Sequence, residues 1–243
     1  MKLDRFLFRH GALPFGVFAV LALVAFWPRY YGTLLAERAA NVHWHGVVMT
    51  LWCVALVVQP LLIRLKKRAT HRAIGRASYV LAPLIVLTGL NMTHALLGRG
   101  EPGSPGFGFD LALMVNSLVA FSVLYGLGVA YRHTPVVHAR FMVASAFPLF
   151  TPITDRIIGN HLRGVIGWLP VVDGGPAVPV AGFLLALALL VGLVVWDWLA
   201  HRRRDVFLGA LLLLVAYHAS VLTFWRFDAW HTFGAWFLSL PLS

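Results

Sequence analysis

The stretch that decides the fold of this chain is HWHGVVMTLWCVALVVQPLLI (residues 43–63), followed directly by RLKKRATHRAIG (residues 64–75). A helix needs about 20 apolar residues to cross the bilayer core, and the first part of the stretch supplies them. The second part is the most basic segment of the chain, and basic loops stay on the cytoplasmic side of a membrane. The stretch therefore predicts a spanning helix with its histidine end outside and its basic end in the cytoplasm.

The rest of the chain continues this apolar pattern. Of its 243 residues 60% are hydrophobic and only 12% are charged, whereas a soluble domain carries about 25% charged residues. We therefore predict an all-α integral membrane helical bundle of seven transmembrane helices, forming a single domain over residues 1–243. The expected spans are Leu13–Trp27, His45–Ile63, Ala77–Leu97, Phe109–Tyr131, Phe141–Ile158, Val178–Leu199 and Val206–Trp225.

The distribution of charge predicts the orientation. The formal net charge of +11 would suggest a nucleic-acid partner in a soluble protein, but here the basic residues precede the first span or occupy alternate loops. This pattern predicts a cytoplasmic N-terminus, an outside C-terminus and a multi-pass protein of the bacterial cytoplasmic (inner) membrane, with the lipid bilayer as its partner and no nucleic acid. The basic clusters are Lys2, Arg5 and Arg9; residues 64–76; Arg132 and Arg140; and Arg202, Arg203 and Arg204.

Two smaller features narrow the class of protein. A basic segment and then an apolar run open the sequence without a small-residue cleavage site, which predicts an uncleaved membrane anchor. The single cysteine, Cys53, lies in the middle of a predicted span. One cysteine excludes both an internal disulfide and a thiolate metal cluster.

Polar and aromatic side chains share one face of the second span. Counting from His45, the positions of Trp52 and Gln59 fall on the same helical stripe, together with Met49. Polar groups at membrane depth face the interior of the bundle, because unsatisfied groups in lipid are costly. His43 lies about 200° away from His45 on a helix. One metal bound by both histidines therefore requires the helix to begin near His45.

The third span brings two more polar residues to the outer surface. Asn91 and His94 are three positions apart and share a face of the helix. A short basic loop joins the second and third spans, so we expect these helices to be neighbours. The predicted cofactor-binding residues are His45, His94, Trp52, Gln59 and Asn91, and the predicted metal ligands are His43, His45, His94 and His161.

The fifth span favours a different function. Pro148 and Pro152 should kink or break it, and Asp155 and Arg156 follow. Ionisable residues at membrane depth mark substrate or proton paths, and broken helices often form binding sites. In this interpretation the polar path is lined by His45, Gln59, Asn91, Asn116, Asp155, Arg156 and His218.

A weak internal repeat relates residues 71–97 to residues 138–164. At an offset of 67 residues His71 coincides with His138 and His94 with His161. The repeat would be a parallel duplication that places paired histidines at both membrane surfaces. His71 and His94 are 23 residues apart, or about 35 Å along a helix, which exceeds the bilayer core of about 30 Å. A single outer site therefore fits better than two stacked haems.

Three functions follow from these features, and the sequence favours the first. Outer histidines could ligate a haem or a transition metal, since neutral imidazole is a common ligand of both; such a redox site would work with a quinone or with partner membrane subunits. The alternatives are a small-molecule or proton-coupled transporter and a structural subunit of a membrane complex. The sequence carries no motif for acyl transfer, phosphate binding or zinc hydrolysis, and whether the protein is an enzyme stays open.

Three short motifs carry a resemblance that spans residues 43–156, about half the chain. They are His45-Gly46 with Trp52 and Gln59; His71-Arg72 with Gly75 and Tyr79; and His138, Arg140 and Met142 followed by a proline-bearing helix that ends at Arg156. The set resembles a group of bacterial multi-pass "predicted membrane proteins" of unknown function. The resemblance implies a helical bundle in the cytoplasmic membrane and no established reaction.

Overall fold

The computed structural model describes residues 3–36 and 39–242, and the fold in these residues is helical. The helices are α1 (Leu3–His10), α2 (Ala12–Phe26), α3 (Ala40–Arg64), α4 (Arg68–Leu97), α5 (Phe107–Ala130), α6 (Pro135–Ala144), α7 (Phe150–His161), α8 (Pro179–His201), α9 (Val206–Thr223) and α10 (Asp228–Leu238). Short 3-10 turns lie at Tyr31–Thr33, Phe147–Leu149, Arg163–Trp168 and Phe224–Arg226. Two residue pairs, β1 (Val171–Val172) and β2 (Gly175–Pro176), form a small antiparallel hairpin.

The predicted class of fold is confirmed. In the described part of the chain six helical segments are long and apolar enough to cross a membrane, namely α3, α4, α5, α6 with α7, α8, and α9 with the turn after it. The pair α1 and α2, bent by 58°, raises the number to as many as seven. The side of the membrane on which each end lies stays a prediction.

Two helices begin earlier than the sequence indicated. α3 begins at Ala40 rather than near His45, and α4 begins at Arg68 rather than at Ala77. The arginines and alanines of residues 68–77 favour a helix. Most of the segment expected to be a basic loop therefore forms the first turns of α4. Lys66, with φ of +59°, makes the tight turn between the two helices. Lys2, which the sequence analysis assigned to the first basic cluster, lies outside the described residues.

The break expected in the fifth span is confirmed. α6 ends at Ala144, a 3-10 turn covers Phe147–Leu149, and α7 begins at Phe150. Pro148 lies in the turn and Pro152 lies in the first helical turn of α7. A proline is tolerated at these positions because its missing N–H has no partner to lose there.

The chain divides into two compact units. The first unit comprises the residues up to Thr88 together with Val195–Arg203. In it α1 and α2 pack against α3, and the buried Tyr30 ring lies on the backbone of α3 at Gly46. A β-carbon at Gly46 would clash with that ring, so glycine is required for this packing.

The second unit comprises Gly89–Val194 together with the residues from Arg204 onward. α5 is its central helix, and α6, α9 and α10 pack around it. α6 lies close to α5 at Gly128, where a β-carbon would meet the sulfur of Met142 at 2.7 Å. One end of the unit holds a buried apolar cluster, formed by Leu97, Phe107, Leu111 and Phe237.

Candidate functional site

The histidines predicted near the start of α3 lie in regular helix. Because α3 begins at Ala40, both His43 and His45 are helical and point about 200° apart. Binding of one metal by both residues requires the helix to begin near His45, and this requirement is not met. The His45 Nδ1 atom lies 3.1 Å from the Thr88 hydroxyl of α4, and the His43 ring lies beside the ring of Tyr30, with 6.0 Å between centroids.

Trp52 and Gln59 lie further along the same helix. The Trp52 side chain is 1% exposed and forms part of the core of the first unit. Gln59 is 14 residues beyond His45, or about 21 Å along the helix axis. With its amide oriented to satisfy its neighbours, Gln59 accepts a hydrogen bond from Gly75 N at 2.9 Å and donates to the His71 carbonyl at 3.2 Å. Gln59, His71 and Gly75 thus join the basic ends of α3 and α4.

His94 and Asn91 contact the C-terminal segment of the second unit. His94 is 7% exposed; its Nε2 lies 3.2 Å from the Leu238 carbonyl and its ring lies against Phe237. The Asn91 amide donates to the Leu242 carbonyl. His161 is the exposed last residue of α7.

The predicted ligands are divided between the two units. His43 and His45 belong to the first unit, whereas His94 and His161 belong to the second. Within residues 3–36 and 39–242 no group of three or more histidine, cysteine, aspartate or glutamate side chains is arranged to hold a metal ion. A haem site, which needs only one or two axial histidines, stays a prediction.

A cluster of polar side chains lies inside the second unit, where α5, α7 and α9 meet. We call Asp110, Ser117, Thr151, Asp155 and Tyr217 the polar cluster. Tyr217 is 4% exposed, and its hydroxyl donates to the Leu113 carbonyl of α5 at 3.2 Å. The same hydroxyl faces Thr151, Ser117 and Asp155. The carboxylates of Asp110 and Asp155 are close enough to repel each other.

A hydrogen-bonded bridge fixes α5 to α9 beside this cluster. The Asn116 amide donates to the Ser220 hydroxyl at 2.8 Å, and the Ser220 hydroxyl donates to the Tyr217 carbonyl at 2.6 Å. A buried polar group is tolerated when it is hydrogen-bonded. The bridge therefore satisfies these polar groups and holds the Tyr217 backbone in place.

Thr151 carries a buried hydroxyl that faces Tyr217. The side chain is 1% exposed, and the hydroxyl interacts with that of Tyr217. A helical threonine usually donates to the carbonyl four residues earlier, as Thr154 does to Phe150. For Thr151 that carbonyl belongs to Phe147, which instead accepts from Phe150 N–H in the 3-10 turn. The break in the span thus leaves the Thr151 hydroxyl to interact with Tyr217 rather than with its own helix.

His218 is a deeply buried polar ring next to the cluster. It is 4% exposed and stacks on Phe183 of α8, with 3.9 Å between centroids and 15° between ring planes. Neither ring nitrogen has a hydrogen-bond partner among the described residues. One position before Phe183, a β-carbon on Gly182 would lie 3.2 Å from the Thr151 backbone, so α8 packs tightly against α7 here.

The structure brings together part of the predicted transport path. Asn116, Asp155 and His218 lie in the second unit around the polar cluster, whereas Arg156 is exposed and donates to the Pro152 carbonyl at 3.1 Å. The residues that sequence reasoning missed in the cluster are Asp110, Ser117, Thr151 and Tyr217. Helical spacing was a usable signal, since Asp110 and Ser117 are seven positions apart and Thr151 and Asp155 are four apart.

Comparison with known proteins finds no relative, since no family model, curated protein or solved structure matches this chain. The fold by itself defines a multi-pass helical membrane protein. The resemblance to a group of bacterial membrane proteins stays a prediction.

Proposed function

We propose that this protein is a proton-coupled transporter of a small polar solute in the bacterial cytoplasmic membrane. The observation that carries the proposal is the polar cluster inside the second unit, where Asp110 and Asp155 lie close together beside the buried Tyr217 hydroxyl. Ionisable groups inside a membrane bundle are costly, and they mark substrate pathways and proton relays. The broken span that supplies Thr151 and Asp155 supports the same function, because discontinuous helices often build transporter binding sites.

Each group in the cluster has a chemical role in this function. The Asp155 carboxyl takes up and releases the proton, and the negative charge of Asp110 acts on it electrostatically. The hydroxyls of Thr151 and Tyr217 supply hydrogen bonds to a polar solute. The apolar rings of Phe183 and its neighbours keep water away from the path.

Proton conduction by the purified protein tests this proposal. The protein is reconstituted into liposomes that contain a pH-sensitive dye, and a potassium gradient with valinomycin sets the membrane potential. With a mixture of small polar solutes added outside, we expect proton entry above the level of protein-free liposomes, reduced at least about tenfold by Asp155→Asn because the proton carrier is gone. Asp228→Asn is the matched control, since Asp228 is an exposed carboxylate at the start of α10. Flux equal to that of protein-free liposomes, or unchanged flux in Asp155→Asn, would contradict the proposal.

An outer histidine site is the second candidate function. A ligating histidine usually has its other ring nitrogen hydrogen-bonded to a neighbouring group, which orients the ring; the 3.1 Å contact from His45 Nδ1 to Thr88 supports such a role. In this proposal His45, oriented by Thr88, ligates a haem or a transition metal that passes electrons to a quinone or a partner subunit. Optical spectra of oxidised and dithionite-reduced protein, with metal analysis, test it. A colourless, metal-free preparation from cells supplied with haem and transition metals would exclude this function.

A further inference from the structure

Three arginines line one face of the first turns of α4, in the first unit. Arg68, Arg72 and Arg76 are spaced four positions apart, so their side chains follow one another along the same side of the helix. All three are exposed, and within residues 3–36 and 39–242 none of them makes an ion pair. We call these residues the arginine stripe. Its positive charge is available to a partner outside the chain.

The sequence around the stripe contains no negative charge to balance it. Between Glu37 and Glu101 the chain has no aspartate or glutamate, and the turn before α4 adds the exposed Lys66 and Lys67. A concentration of positive charge attracts anions. The stripe itself consists of arginine, whose planar guanidinium binds a phosphate through two parallel hydrogen bonds. The chemistry of the stripe therefore favours a phosphate-bearing anion.

The same face of α4 continues into exposed apolar side chains. Tyr79, Pro83 and Leu87 follow Arg76 at spacings of three and four positions, so they extend the face of the stripe. Tyr79 is 45% exposed and Leu87 is 62% exposed, whereas Ile85, on the opposite side of the helix, is fully buried. Because α4 is long and apolar enough to cross a membrane, this exposed apolar part faces lipid.

The two parts of this face match the two parts of a phospholipid. Tyr79 and Leu87 are eight residues apart, or about 12 Å along the helix axis, which is close to half of a bilayer core of about 30 Å. The apolar part is therefore about as deep as one leaflet. Tyrosine is typical of the membrane–water interface, and the arginine stripe begins just beyond it, where lipid headgroups lie. A soluble anion would contact the arginines alone, whereas a phospholipid would contact the whole face.

We propose that this face of α4 binds an anionic phospholipid. The guanidinium groups of Arg72 and Arg76 bind the phosphate, and one acyl chain lies along Tyr79 and Leu87. Clusters of basic residues beside a spanning helix recognise acidic lipids by this attraction. The tendency of basic residues to stay in cytoplasmic loops accounts for the charge of this segment, but it does not require arginines in line with exposed apolar residues. Lipid binding at this face is independent of the proposed transport function.

Three ligands separate the charge of the headgroup from the acyl chains in the test. Dioleoylphosphatidylglycerol, dioleoylphosphatidylcholine and glycerol 3-phosphate are each titrated against the full-length protein in a neutral detergent, and native mass spectrometry counts the bound molecules. We expect phosphatidylglycerol to bind at least about tenfold more tightly than phosphatidylcholine, whose headgroup has no net charge. It should also bind at least about tenfold more tightly than glycerol 3-phosphate, which has no acyl chains. Equal binding of phosphatidylcholine or of glycerol 3-phosphate would overturn the proposal.

Two double variants assign the binding to the arginine stripe, and circular dichroism checks that each is folded. Arg72→Gln with Arg76→Gln should fold, because both side chains are exposed and glutamine favours a helix. We expect this variant to weaken phosphatidylglycerol binding at least about tenfold. Lys66→Gln with Lys67→Gln is the matched control, since it removes the same charge from the adjoining turn, and it should weaken binding less than about threefold. Unchanged binding in the arginine variant, or an equal loss in the lysine variant, would overturn the assignment.

Discussion

Replacement of His218 by leucine should make the protein more stable. The imidazole is buried on Phe183, and neither nitrogen has a partner among the described residues. Each unsatisfied buried polar group costs about 1–3 kcal/mol, so the two nitrogens together cost about 2–6 kcal/mol. Leucine is close in volume to imidazole and relieves this cost, but it loses the ring stacking, which is worth about 0.5–1.5 kcal/mol. The expected net gain in the free energy of unfolding is about 2 kcal/mol.

Thermal unfolding in detergent, followed by circular dichroism at helical wavelengths, measures this gain. For a chain of this length 1 kcal/mol shifts Tm by about 2–4 °C, so we expect Tm to rise by about 4–8 °C. The matched control is His138→Leu. His138 Nδ1 lies 2.7 Å from the Gly128 carbonyl, so the same substitution there removes a satisfied hydrogen bond and should lower Tm.

A lower Tm in His218→Leu would refute the reasoning. That result would mean that the imidazole makes hydrogen bonds that stabilise the fold, so its burial would carry no penalty. A raised Tm would instead identify His218 as a residue kept at a cost in stability, and such residues are candidates for function.

Three other substitutions test the packing of the first unit and the orientation in the membrane. Gly46→Ala should lower the free energy of unfolding by about 1–3 kcal/mol because its methyl group clashes with the Tyr30 ring; a double-mutant cycle with Tyr30→Ala should recover part of this loss, and strict additivity would rule out the clash. Gln59→Leu should cost about 1 kcal/mol in thermal denaturation, because half-buried hydrogen bonds to the first turns of α4 are lost, and an unchanged Tm would contradict that role. In a chain whose native cysteine is replaced by serine, Glu101→Cys should react with an impermeant maleimide added outside, whereas Thr134→Cys should react only after lysis; the reverse labelling would invert the predicted orientation.

The helices themselves could be predicted from the sequence, but their ends could not. Long apolar runs bounded by basic residues indicated the spans, and two prolines indicated the break between α6 and α7. The sequence placed the start of α3 near His45 and the start of α4 at Ala77, and both helices begin earlier. Hydrophobicity reports where a helix enters lipid, whereas polar helical turns outside the lipid carry no such signal.

The candidate site was only partly predictable for a related reason. Asp155 and His218 stood out as polar residues within apolar runs, whereas Asp110 lies at the start of α5 and resembled an ordinary residue at a helix end. Its significance depends on Asp155 and Asp173, which are distant in the sequence and close in the fold. His45 and Gln59 lie on one face of α3, as their spacing predicts. However, they are about 21 Å apart along the helix and contact different residues.

The sequence by itself determined that this is a helical membrane protein, because the cost of exposing backbone groups to lipid forces each long apolar run into a helix. That constraint acts on each segment separately and can be read from local composition. Only the tertiary structure decided which polar groups meet. The contact between the Thr151 and Tyr217 hydroxyls, the stacking of His218 and the proximity of Asp110 to Asp155 depend on how α5, α7, α8 and α9 pack together. Such packing arises from contacts between residues far apart in the chain, and no local pattern encodes it.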